Sequence, residues 1–194
     1  MKKIVNEVWR LILITALGTM GSIIAGLMMY GGKIFRLTDP SFDYYIAYGF
    51  CSAAIFAFYH IRGLSETITA SMVLGVVLFI GITFLMPVVH AVIYSFGVTV
   101  SVVLLAFLFE WKLAYLKHWK FIIVALIFGE LFVVLNLISL VIAGVHDLPP
   151  DMFWNNFKDG GLMGVGLGIG IEVAEALIHS VELHSEAKKM SAAS

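Results

Sequence analysis

The chain has a single cysteine, few charges and no tract of like charge in its 194 residues. The lone Cys51 excludes an intrachain disulfide and any paired-cysteine redox or zinc motif. Only 13% of residues are Asp, Glu, Lys or Arg, and the formal net charge is −1. With no basic tract, a nucleic-acid partner is not expected. The chain also lacks an Asn-x-Ser/Thr sequon and a Gly-x-Ser-x-Gly nucleophile elbow, and no other enzymatic constellation stands out. Whether it is an enzyme is therefore left open.

Apolar sequence is what the chain has in excess. It is 61% hydrophobic with a mean hydropathy of +1.00. Soluble chains run at roughly 45–50% apolar, so the surplus fits lipid as the solvent. A single transmembrane domain over residues 1–194 is expected. Met1, Lys2 and Lys3 resemble the start of a signal peptide, but the apolar run Trp9–Tyr30 is too long for one. It reads as an uncleaved span.

A bilayer-crossing helix needs about 20 mostly apolar residues. Six windows qualify: 9–30, 44–60, 68–86, 89–110, 121–144 and 161–181. Pro87 divides the third from the fourth, because proline removes a backbone donor and clashes with the preceding turn. A single kinked helix is the alternative there. Orientation follows from Lys and Arg. With the N-terminus inside, Lys2, Lys3, Arg10, Arg62, Lys112, Lys117, Lys120, Lys188 and Lys189 are cytoplasmic, and Lys33, Arg36 and Lys158 are outside. Both termini are thus expected in the cytoplasm. Trp9, Trp111, Trp119 and Trp154 all fall at window ends, where amphipathic rings favour the headgroup region. The fold class is an all-α polytopic bundle of six transmembrane helices. A plasma membrane is expected, of the bacterial or archaeal inner type.

The sixth window carries Glu172, Glu175 and His179 inside its apolar run. An ionised carboxylate at the bilayer centre costs at least ~2.5–3.5 kcal/mol on insertion scales. Such residues face a protein interior or a wet cavity. At 100° per residue, Glu172, Glu175, His179, Glu182 and Glu186 share an arc of about 80°. Gly161, Gly164 and Gly168 continue that stripe toward the outer end. Small residues let helices approach closely in lipid, so this face is expected to look inward. The spacing Gly164-x-Gly166-x-Gly168-x-Gly170 is read as helix packing. A phosphate loop would need a preceding strand in a βαβ unit.

Glu130 is the second intramembrane carboxylate, in the fifth window. It lies ~15 Å from that window's inner end, and Glu172 lies ~16 Å from the outer end of the sixth. Both depths are near the midplane of a ~30 Å core. Glu130 and Glu172 are therefore expected to face one another, sharing a proton or holding a cation between them. Asn136 lies farther outward and supplies a further carbonyl or hydrogen bond. The bland alternative is hydrogen-bonded glue between helices.

Among the six histidines, His118, His146 and His184 fall in or beside loops, and His90 near an outer helix end. His60 closes the second window at a depth similar to His179. With Glu175, and with Glu110 as a further candidate, these two form a candidate N/O metal site, since imidazole with carboxylate suits a divalent transition metal. A bundle di-iron centre would need a second Glu-x-x-His motif, which is absent.

The leading expectation is a multi-pass protein that binds or translocates a small cation or small solute. Its midplane carboxylate site lies between the fifth and sixth windows, with Glu130, Glu172, Glu175, His179 and Asn136 as binding residues. Asp147, Asp151 and Asp159 would bias the outer entrance toward cations. A second reading is a substrate-binding membrane subunit of a larger transporter, similar in scale, with no shared motif, to the vitamin-binding subunits of energy-coupling-factor transporters. A third is a membrane-embedded metal-dependent enzyme or redox subunit. No motif requires a cofactor; a divalent metal ion is the candidate. Partners are the lipid bilayer, the solute, and either further copies of the chain or transporter subunits.

Overall fold

The computed structural model describes residues 2–30, 40–84, 88, 91–92, 95–97, 99–100, 103–104, 120–142, 144 and 150–193. Every long element in them is an α-helix. These are α1 (Lys2–Tyr30), α2 (Pro40–Arg62), α3 (Leu64–Thr83), α4 (Lys120–Ile142) and α5 (Met152–Ala193). The described residues between 88 and 104 are helical as well. α4 corresponds to the fifth sequence window and α5 to the sixth. Pro87 and most of the fourth window lie outside the described residues.

Four stretches are long and apolar enough to cross a membrane: Val5–Met29, Leu64–Gly81, Ile122–Ile142 and Met152–His184. The surface agrees with lipid as solvent. Met72, Val73, Val76, Val77 and Ile80 of α3 are all exposed. In water such a face would be an aggregation site; in a bilayer it needs no cover.

Local chemistry sets the ends of the helices. α2 opens on Pro40, whose missing N–H costs nothing in a first turn. It closes at Gly63, whose φ of +82° only glycine adopts cheaply. The Gly63 N–H donates to the Tyr59 carbonyl at 2.9 Å, capping the helix. α3 follows at once, and the Thr67 hydroxyl donates to the Gly63 carbonyl at 2.6 Å. α4 ends before Gly144, whose φ is +74°. α5 starts behind Asp151, with the Asn155 N–H donating to the Asp151 carbonyl at 3.0 Å.

α5 differs from expectation in length. Residues 152–160, between the fifth and sixth windows, form its first turns, and the helix runs on past the end of the sixth window to Ala193. Its 42 residues span about 63 Å, twice a hydrocarbon core. At least one end therefore projects from any bilayer it crosses.

α5 is also the hub, packing along both α4 and α1, while α2 packs on α1 and α3 on α2. The core runs through Ile14, Ile55, Phe56, Val124, Phe128, Met163, Leu167 and Ala174. Glycines set the closest approaches. A Cβ on Gly166 would collide with the Gly21 carbonyl, and one on Gly170 with the Leu17 carbonyl. A Cβ on Gly164 would sit 2.6 Å from Ala125 Cα. The alternate glycines thus serve two neighbours: Gly166 and Gly170 admit α1, and Gly164 admits α4. On α1, a Cβ on Gly18 would meet Ala53 Cβ of α2 at 2.8 Å and Leu167 Cδ1 of α5 at 3.2 Å, so this glycine sits where all three helices converge.

Where α1, α2 and α3 end together, Arg62 joins them. Its Nη2 donates to Glu7 Oε2 at 3.0 Å, and its Nε stands 4.0 Å from Glu66 Oε2. These pairs are half-exposed, so Arg62→Ala is expected to cost about 1 kcal/mol or less, and less again in high salt. Thermal unfolding in detergent at two salt concentrations checks this.

Candidate functional site

The polar face of α5 does not meet α4. The outer part of the same helix does, with Gly164 against Ala125 and Phe157 against Gly129. These contacts fix an antiparallel register that puts Glu130 level with about Phe157. Glu172 lies fifteen residues further along α5, ~22 Å away at 1.5 Å per residue. The expected Glu130–Glu172 pairing is thereby corrected. Equal distances from the window ends do not make two residues neighbours when close glycine contacts shift one helix along the other. Glu130 is exposed on α4, and the Asn136 side chain lies outside the described residues.

What faces the polar arc of α5 is α1 and α2. Together they enclose a cavity of about 420 Å³ lined by Arg10, Ile14, His60, Glu172, Glu175, Ala176, Ile178, His179 and Glu182. At about 30 Å³ per water it holds on the order of a dozen waters, or one small solute. Two larger hollows, about 540 and 580 Å³, are almost wholly apolar in lining. They lie at helix seams and offer no convergent polar groups.

The cavity is graded along its length. At its α1 N-terminal end, Arg10 Nη2 stands 3.9 Å from Glu182 Oε1, with both side chains about two-fifths exposed. Further in, His60 Nε2 and Glu175 Oε1 are 2.7 Å apart, a hydrogen bond across α2 and α5. At the deep end Glu172 presents a buried Oε1 with no hydrogen-bond partner among the described residues. A buried acceptor without a donor is costly, at about 1–3 kcal/mol and more for a charged group. Native structures keep few of these, and each calls for an explanation such as an ion or a water.

The expected residues thus divide. Glu172, Glu175, His179 and His60 share one cavity, and the His60–Glu175 contact is present. Glu130 lies elsewhere. Among the described residues no three His, Cys, Asp or Glu side chains converge as a metal would require. His60 and Glu175 supply two such groups, and His179 does not complete a set with them. Glu110, His90, His118, His146 and Asp147 lie outside the described residues. Asp151 precedes α5 and its carboxylate accepts from the Asn155 side-chain amide at 3.4 Å, and Asp159 is half-buried on the outer turns of α5.

Arg10 was missed as a site residue, because one basic residue near a span end reads as a headgroup anchor. The available signal was its place inside the first apolar run, between Trp9 and Leu11. Glu182 was visible in the stripe but not tied to a partner.

No protein-family model, curated protein or solved structure matches the chain. The functional reading rests on this geometry alone.

Proposed function

We propose that this chain is a multi-pass plasma-membrane protein that takes a small cation, or a small cationic solute, from the cytoplasm into the cavity between α1, α2 and α5. Binding there is the first step of its translocation. The observation that carries the reading is the buried Glu172 Oε1, without a hydrogen-bond partner among the described residues, at the end of a polar hollow. A cation supplies what that oxygen lacks.

Charge balance supports the choice of ligand. Glu172, Glu175 and Glu182 line the cavity against one Arg10, so anionic groups outnumber the permanent cation. Arg10 engages Glu182 at the mouth, which leaves the deep end negative. In this reading six spans and cytoplasmic termini place the mouth on the inner side, consistent with the excess of Lys and Arg there. A single proton, a monovalent ion and a primary ammonium share the required chemistry. A divalent metal fits less well, because His60 and Glu175 alone supply two ligands.

Thermal unfolding of the purified full chain, screened against monovalent ions, divalent ions and small organic ammonium compounds, tests the proposal. At least one cation is expected to raise the midpoint of the wild type and not that of Glu172→Gln. If every cation shifts both proteins equally, the cavity is not a cation site. His60→Ala is expected to lower the midpoint without ligand, since it leaves Glu175 short of a hydrogen bond worth about 1 kcal/mol. It is expected to weaken binding less than Glu172→Gln does, because the deep carboxylate remains.

A further inference from the structure

Among the described residues, three carboxylates and one permanent cation line the cavity: Glu172, Glu175, Glu182 and Arg10. The two carboxylates nearer the mouth each have a neighbour. Glu182 faces the Arg10 guanidinium at 3.9 Å, and Glu175 is hydrogen-bonded to His60 at 2.7 Å. Glu172 Oε1 has none among the described residues, so one negative charge is left for a ligand. The contacts of Gly166 with Gly21 and of Gly170 with Leu17 set α1 antiparallel to α5 and bring Arg10 level with about Leu177. Glu172 then lies five residues toward the deep end and Glu182 five residues toward the mouth, ~8 Å of helix each way. Arg10 thus stands on the approach, and an ion moving from the mouth to Glu172 passes its charge.

We propose that Arg10 sets the valence of the cation the cavity accepts, holding the site to singly charged ions and turning divalent ones away. A fixed charge acts on a mobile ion in proportion to the ion's own charge. Two unit charges ~8 Å apart in a half-exposed site change affinity roughly three- to tenfold after screening. For a divalent ion the same factor enters squared, roughly ten- to a hundredfold. Water and salt weaken the factor but leave the square relation intact, because both ions feel one potential. Without Arg10 the lining holds three carboxylates with no permanent cation against them, the oxygen-rich, negative setting that hard divalent cations favour. With Arg10 in place, only the charge of Glu172 stays open. This inference rests on the cation reading of the cavity and adds which cations enter.

Thermal unfolding of the full chain at constant ionic strength tests it, with titration by sodium, potassium or methylammonium chloride and by magnesium or calcium chloride. The wild type is expected to bind a monovalent cation more tightly than magnesium or calcium. Arg10→Gln is expected to bind that monovalent cation roughly three- to tenfold more tightly, and magnesium or calcium roughly ten- to a hundredfold more tightly. Arg10→Lys, which keeps the charge and loses the guanidinium fork, is expected to keep the wild-type selectivity. Arg10→Met retains the apolar stem and serves the same comparison if Arg10→Gln folds poorly. A purely structural Arg10 would alter the unliganded midpoint and leave the ratio of divalent to monovalent affinity unchanged. That result overturns the valence filter while the cation reading stands. So does lost selectivity in Arg10→Lys, or a wild type that binds a divalent ion at least as tightly as a monovalent one. If no cation stabilises the wild type, the cation reading itself fails and this inference with it.

Discussion

Glu172→Gln is expected to remove cation binding while leaving the protein at least as stable as the wild type. Glutamine keeps the shape and one acceptor but loses the charge. A charge-assisted contact contributes about 1.5–3 kcal/mol, so affinity falls roughly ten- to a hundredfold. Stability moves the other way, because the wild type buries a carboxylate oxygen with no described donor. Neutralising it removes a desolvation cost that no described protein donor offsets. Calorimetric titration with the stabilising cation, paired with thermal unfolding in its absence, measures both. Lost affinity together with a lowered midpoint would mean that Glu172 is structural.

Gly166→Leu is expected to separate α1 from α5 and to lower stability by about 3 kcal/mol or more. Overpacking a closed core typically costs 1–3 kcal/mol when neighbours can shift. Here the obstruction is the Gly21 carbonyl, a backbone atom inside a helix, which cannot rotate away. Gly161→Ala is the contrasting substitution in the same glycine-rich stretch. A Cβ there meets nothing closer than the Ala125 carbonyl oxygen at 3.9 Å, an ordinary contact. Replacing a helical glycine by alanine gains up to about 1 kcal/mol of propensity, so this variant is expected to be neutral or more stable. Thermal unfolding followed by size-exclusion retention measures both variants. Equal effects at the two positions would contradict the packing described.

Much of the architecture was legible because lipid imposes a simple length rule. The runs beginning at Trp9, Phe121 and Gly161 each stand out by apolar length, and each lies in a helix. The inward polar arc of α5 was legible because 100° periodicity puts Glu172, Glu175, His179 and Glu182 on one side. The partner of that arc was not. Depth arithmetic pointed to Glu130, but the register of two apolar helices is decided by where small residues allow contact, here Gly164 on Ala125. The first turns of α5 were read as loop because His146, Asp147, Pro149 and Pro150 dominate the approach. Asp151, a strong helix N-cap type, was the signal that the helix begins there.

The most direct test is an experimental density map of the full chain with the cation that stabilises it most. The account predicts density within hydrogen-bonding or coordination distance of Glu172 Oε1, in the hollow between α1, α2 and α5. A map with Glu172 donating to or accepting from a protein group in a closed, empty space, or with the cation bound elsewhere, would contradict it.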